Sequence, residues 1–398
     1  MPLPLDANAL KNALCIIASS ENGTLPDHMA DMIGDIITGI YKKYSDKEPR
    51  DASPKKYSPS VNKEVHEALI RHGVDLSRCQ YWWDVVDILA LEKHDYYMAS
   101  VAQRYAVPQF RDLISFNSES IQRLYGAVKT STQVTLIDTF NLRIQAAINE
   151  YPILAHPTAF DIHDAKIAIL DIKNICNASV GPIAQKQNGL MYMLSRFVLS
   201  SEFYRKSEEI RFFNPDYKDH HMESIARIES MIKIMEYDEF HRTKGVEFVR
   251  NQIVKDFREG RKYNIMNMLA SQSINDFDDD MFTFSSGTWI MGCDDNEERE
   301  EVCRRLNLSS AAKYKLYNSL NGPSADGSGA PFLVCLKVRD GYPHEHFLKN
   351  TPGPLMAWAF STTAEDTSLR DMLYRRMPQE DARIVLAKRF PRGSAKKE

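Results

Sequence analysis

The chain has 398 residues, too many for one ordinary core and about right for two domains. An apolar fraction of 43% with 10% aromatics sets aside wholesale disorder. Acids and bases nearly cancel at a net charge of −4, which excludes a global attraction to nucleic acid or to an anionic membrane surface and leaves nucleic-acid binding to a local patch. Cys15, Cys79, Cys176, Cys293, Cys303 and Cys335 include no C-x-x-C pair and no zinc spacing. With no signal peptide and no apolar run near 18 residues, the expectation is a cytosolic protein without direct membrane insertion, reaching a membrane only through partners.

In chain order, residues 1–150 read as an all-α subdomain. Met29, Met32, Ile33, Ile36, Ile37 and Ile40 recur at helical spacing, as do Leu136, Phe140, Leu142, Ile144 and Ile148 further on. Lys47 to Pro59 is rich in Pro, Lys, Ser and Asp and reads as a loop. The cluster Tyr81, Trp82, Trp83 reads as helical core before it reads as a partner-facing patch. From 151 to 390 short apolar runs alternate with amphipathic helices, the pattern of an α/β domain with a mostly parallel sheet. Expected strands are Lys166–Leu170, Met231–Tyr237, Ile265–Ala270, Thr288–Met291, Phe332–Val338 and Leu355–Phe360. Expected helices are Ile183–Phe203, Gly245–Glu259, Asn296–Leu306, Ala311–Leu320 and Asp366–Met377. Residues 391–398 read as a basic flexible tail: Lys388, Arg389, Arg392, Lys396 and Lys397 fit a solvated terminus better than a binding arm.

The most informative stretch is Met231 to Tyr237, an apolar strand that runs into Asp238 and Glu239 and is followed by Phe240 and His241. Ligands of parallel sheets lie beyond the carboxyl ends of the strands, so acids at that end face a nucleotide in a Walker B arrangement. A strand end with two solvated acids is the competing reading. The next unit fits a βαβ crossover: a helix from Gly245, then Arg258, Gly260, Arg261 and Lys262, then a strand ending in Ser271-Gln272-Ser273. An amide at Gln272 is suited to hydrogen-bonding a water and a γ-phosphate, and Arg261 is placed to reach a neighbouring subunit's phosphates. Arg258, Arg261 and Lys262 equally suit the negative end of a helix dipole.

Asp-Glu ending a strand, then a helix, Gly-Arg-Lys, an apolar strand and Ser-Gln together resemble the HerA–FtsK group of RecA-like motors, closest to the type IV secretion and conjugation ATPases and their Dot/Icm-type branch. The segment Ala357-Trp358-Ala359-Phe360-Ser361-Thr362-Thr363-Ala364-Glu365-Asp366 is similar to a C-terminal strand-to-helix step of that group. The likeness covers about residues 151–390. It implies a RecA-like P-loop NTPase core and Mg²⁺-ATP hydrolysis, with Asp238 holding the Mg²⁺ through water, Glu239 activating the attacking water, Gln272 as sensor and Arg261 as a finger across a ring interface. It also implies a homo-hexamer docked on the cytoplasmic side of the bacterial inner membrane, with secretion-channel components and other secretion ATPases as partners. Lys233, Glu236 and Asn267 depart from the group's apolar strands, and no Gly-x-x-x-x-Gly-Lys-[Ser/Thr] occurs in the chain. The expectation is therefore the C-terminal part of a longer motor, inactive in isolation, whose phosphate-binding loop lies upstream. A scaffold subunit without hydrolysis and a DNA-translocating motor are the alternatives.

Four further features carry default structural readings. Asp171 faces a nucleotide edge only if Lys166–Leu170 is a strand. His344 and His346 share a strand face without an evident third ligand. Thr362 with Glu365 has the capping-box spacing, and Gly322 to Gly329 reads as a loop.

Overall fold

The structure, a computed structural model, describes residues 3–21, 23–45, 55–114, 116, 118–158, 162, 165–172, 181–244, 247–293, 295–322, 329–337 and 343–397. Helices α1 (Pro4–Ala18) and α2 (Met29–Lys43) pack together, and the six-residue apolar stripe of α2 is fully internal. Side-chain oxygens start the next helices by accepting otherwise orphaned backbone N–H groups. Asn62 caps α3 (Lys63–Arg71) from Val65 N, and Asp95 caps α5 (Tyr96–Ala106) from Met98 N. Between them α4 (Trp82–Asp87) contributes Trp82 and Trp83 to a core shared with Val65, Leu69, Leu89 and Val101. Trp82 and Trp83 of the aromatic cluster are core, with Trp82 stacked on Tyr105 at 4.8 Å between ring centroids, whereas Tyr81 is half-buried.

After α6 (Glu119–Tyr125), α7 (Leu136–Glu150) and α8 (Pro182–Ser200) both pack against α1. Helices from either side of residue 151 thus belong to one body. The chain divides into two compact units, Met1–Ala270 and Ser271–Glu398. The first unit ends with α9 (Lys218–Ser230), β1 (Lys233–Tyr237), α10 (Glu247–Glu259) and β2 (Ile265–Leu269), and β1 and β2 pair in parallel from Lys233↔Ile265 to Tyr237↔Leu269. A parallel pair needs a long crossover, and α10 supplies it.

The second unit opens with α11 (Asp279–Phe284), β3 (Gly287–Ile290), α12 (Asn296–Arg305) and α13 (Ser310–Ser319). Strands β4 (Ala330–Lys337) and β5 (Pro343–Asn350) follow, and β3, β4 and β5 form an antiparallel sheet in that order. Ile290, Leu333 and Cys335 of the sheet meet Val302, Leu308, Ala312 and Leu316 in one core. Gly329, at φ +118°, leads into β4 beside Asn350, whose carbonyl leaves no room for a Cβ. Helices α14 (Pro354–Phe360), α15 (Ala364–Tyr374) and α16 (Gln379–Arg389) complete the unit.

The protein is mixed α/β and mostly helical, and among the described residues parallel pairing is confined to β1 and β2. Four expectations are corrected. The sheet is not mostly parallel, because β4 and β5 are joined by a short connection that permits only antiparallel pairing. Lys166–Leu170 is no strand: Ile167 and Ile169 are 82% and 88% exposed, and no described residue pairs with them. Leu355–Phe360 is helical, with Gly353 and Pro354 at its start, a sequence that favours helix initiation, and only Trp358 turned fully inward. The basic terminal segment, expected to be flexible, is tied down instead. Ala395 N donates to Asp366 Oδ1 at 2.9 Å, and Phe390 packs its ring beside Trp358. Parts of the Lys47–Pro59 and Gly322–Gly329 loops, and Cys176, lie outside the described residues.

Candidate functional site

The parallel pair positions the acids named from sequence. Beyond the last paired residues, Ala270 N donates to Tyr237 O at 2.9 Å and Phe240 N to Ala270 O at 2.8 Å, so both strands end at one edge. Asp238 and Glu239 occupy the turn there. Asp238 is exposed, and its Oδ1 accepts from Glu239 N at 2.9 Å. Glu239 takes a left-handed backbone, φ 52° and ψ 46°, a conformation that costs a non-glycine residue free energy and collects at functional turns. Its side chain is 41% exposed, and Oε2 lies 3.2 Å from His241 Nδ1.

The turn is anchored from below. Phe240 and Thr243 are completely buried, and Thr243 Oγ1 donates to Phe240 O at 2.8 Å. Arg250 of α10 covers the Phe240 ring and donates to Thr243 Oγ1 at 3.3 Å. Two carboxylates therefore stand on a fixed base at the carboxyl edge of a parallel pair. Chemically, such a pair of oxygens can hold a hydrated divalent cation and accept a proton from water.

Beside β1 lies a buried polar cluster that the sequence reading missed. Arg196 of α8 clamps Asp256 of α10 with two bonds, Nε to Oδ2 at 3.0 Å and Nη2 to Oδ1 at 2.7 Å. Asp256 is 3% exposed and also accepts from Gln252 Nε2 at 3.1 Å. Arg196 Nη2 donates to the Tyr204 hydroxyl at 2.7 Å. Burial, opposed by Arg196 and reinforced by Asp256, holds the Tyr204 hydroxyl well above its usual range, so it stays protonated. Burial does the same to Tyr237, the residue before Asp238, whose hydroxyl belongs to this neighbourhood. The cluster joins α8 and α10 beneath β1. A signal was available in the sequence, since Val249, Ile253, Asp256 and Gly260 lie on one buried face of the helix and its extension, with a carboxylate where an apolar residue is normal.

The other predicted residues are not all brought to this edge. Arg261 is exposed in a 3-10 turn ahead of β2, at the amino end of the strand. The five residues of β2 put it roughly 16 Å from the carboxyl edge at about 3.3 Å per residue, out of reach of Glu239 in its own chain. Arg258 sits in the last turn of α10, where a cation suits the helix dipole. Gln272 is exposed and is the second residue of the other unit, next to Ser271, whose hydroxyl donates to Asp276 Oδ2 at 2.6 Å. Asp171 is exposed beside a segment that is not a strand.

His344 and His346 share a face of β5, and among the described residues no group of three or more His, Cys, Asp or Glu converges on a metal position. The cap at the start of α15 is Thr363 with Asp366, one residue along from Thr362 and Glu365. No described helix is long and apolar enough to cross a membrane. The chain matches no family model, no curated protein and no solved structure.

Proposed function

We propose that the chain is the hydrolytic part of a Mg²⁺-ATP-driven motor of the type IV secretion and conjugation class, with a RecA-like core. One observation carries the reading: Asp238 and Glu239 stand together at the carboxyl edge of a parallel βαβ pair, on a turn that is strained, anchored and open to solvent. In this reading Asp238 orients the water shell of Mg²⁺ and Glu239 takes the proton of the attacking water. Gln272 senses the γ-phosphate, and Arg261, distant from its own carboxylates, acts on the site of a neighbouring subunit. That assignment gives a homo-oligomeric ring, a hexamer by resemblance, working on the cytoplasmic side of the inner membrane beside channel components and other secretion ATPases.

The sequence holds no phosphate-binding loop, and this favours a second reading, a scaffold subunit that keeps the fold without hydrolysis. The two are separated by Mg-ATP binding and turnover, measured on this chain and on a form extended upstream through any phosphate loop in the same reading frame. Turnover that Glu239→Gln abolishes supports the motor. Absence of nucleotide binding in every form supports the scaffold, and salt-sensitive DNA binding with turnover would redirect the motor toward DNA.

A further inference from the structure

We propose that the outer edge of β5 is a two-fold contact surface for a second copy of this chain, joining two three-stranded sheets into one continuous six-stranded antiparallel sheet. The inference stands apart from the nucleotide reading and rests on the second unit alone.

Strand β5 has eight residues and pairs with β4 along its whole length, residue for residue from Pro343↔Lys337 to Asn350↔Ala330, with no bulge. It is the last strand of its sheet, and no described strand lies on its other side. Alternate backbone N–H and C=O groups of an edge strand point outward and are a template for another strand. Edges are usually blunted by shortness, bulges, a Pro, charged side chains or a covering element, and β5 has a Pro only at its first position, Pro343, and charges at Glu345 and Lys349 that the pairing below neutralises. Here the edge is long and regular, and His344 and His346–Asn350 are all exposed. Phe347 and Leu348, at 37% and 46% exposure, put two large apolar side chains in its middle.

The strand's own sequence selects the occupant. In a two-fold antiparallel pairing centred on Phe347, each residue faces the one equally far on the other side of Phe347 in the other copy. Lys349 then faces Glu345 of the other copy, twice by symmetry, and Leu348 faces His346. Phe347 meets its counterpart on the axis. Opposite charges directly across a pair are favourable and like charges are not. The register that covers the apolar centre is thus also the one that matches the charges. Glu345 is held in place for this, since Ser309 N donates to its Oε1 at 2.8 Å and the Ser309 hydroxyl bonds its other oxygen. Lys315 of α13 lies over the Phe347 ring at 5.1 Å and backs it from the helix side. A contact of this kind is isologous and closes at two copies.

Sedimentation equilibrium on the full chain tests the proposal. The expected mass of the nucleotide-free chain, in which no ring forms across a bound nucleotide, is twice the 45.6 kDa of one chain, with dissociation on dilution. Lys349→Glu places like charges across both pairs and should weaken association roughly tenfold, while adding Glu345→Lys should restore it. Phe347→Cys gives a second, independent readout. Residues facing each other across the axis have Cβ atoms close enough for a disulfide, so oxidation should cross-link this variant well above the parent, and Leu348→Cys should not cross-link. A chain that stays monomeric at millimolar concentration, a dimer indifferent to Lys349→Glu, or no extra cross-link at Phe347→Cys would each overturn it.

Discussion

Asp256 illustrates how a single side chain can be indispensable without touching the chemistry. It is almost wholly buried, and its charge is met by the Arg196 guanidinium and the Gln252 amide. Removing one partner of such a pair leaves the other charge buried and unpaired. Asp256→Ala should therefore cost about 3–5 kcal/mol, read as a lowered urea midpoint of the Met1–Ala270 unit. Lys186 gives a second expectation. Its Nζ donates to Ile17 O at 3.0 Å, in the last turn of α1, and to Ser19 O at 2.6 Å, just past it. Burial, with Arg143 nearby, pulls its pKa from 10.5 down to about 8, against Glu150 and Glu21. The unfolded chain then holds this proton more tightly than the folded one. The cost of burying the charge is fully present below pH 8 and is relieved as the pH rises toward 10.5, so stability should increase with pH across that window. A neutral amine keeps two N–H groups for the same two carbonyls. Hydrogen exchange of α1 and α8 amides between pH 7.5 and 10.5, corrected for intrinsic rates, should show this rise, and Lys186→Met should flatten it.

Among the elements, those the sequence made legible are the ones whose apolar spacing matches their burial. The α2 stripe is one, whereas in β1 the match is partial, since Met235 turns inward but so does Lys233, and Ile234 faces outward with Glu236. Asp238 and Glu239 were legible because a largely apolar run breaks off there at two adjacent charges. Lys166–Leu170 has strand-like composition and no partner to pair with, and composition alone carries no information about partners. Leu355–Phe360 is a short apolar run of the kind that periodicity cannot assign, and Pro354 and Gly353 were the available arbiters. Arg196 with Asp256 was hidden because its two halves lie 60 positions apart. The docked C-terminus was hidden likewise, for it depends on Asp366, which is 1% exposed. Burial raises the pKa of this carboxyl, but hydrogen bonds from Ala395 N, Thr363, Ser394 and Ser361 outweigh burial and leave it below its ordinary 3.8. Its contribution is present above that pH and lost as the pH falls through the lower folded value. Asp366→Ala should lower stability by about 1–2 kcal/mol and speed exchange at the Ala395 amide.

At the scale of the whole molecule, two units each have a core of their own, and the roles proposed for the motor fall on residues of both. Asp238 and Glu239 belong to the first, Gln272 to the second. If the motor reading holds, Glu239→Gln should reduce turnover by at least about two orders of magnitude while leaving nucleotide affinity within a few fold, as expected when a group acts in the chemical step and not in binding. Arg261→Ala should give a comparable loss that wild-type subunits mixed into the same ring partly restore, because a finger acting across an interface is supplied by the neighbour. A loss that mixing does not relieve would place Arg261 among residues that merely end α10.

The β1–β2 pair has one further consequence. Its inward side buries Met235 and Ile265, and its outward side leaves Ile234, Met266 and Met268 at 53%, 48% and 40% exposure. Thioethers open to solvent are oxidised far faster than enclosed ones such as Met29 and Met32. A brief peroxide pulse followed by peptide mass spectrometry would therefore mark Met266 and Met268 early in the free chain. Loss of those marks inside a larger assembly would report that the face had been covered, so two sulfur atoms serve as a built-in chemical recorder of assembly.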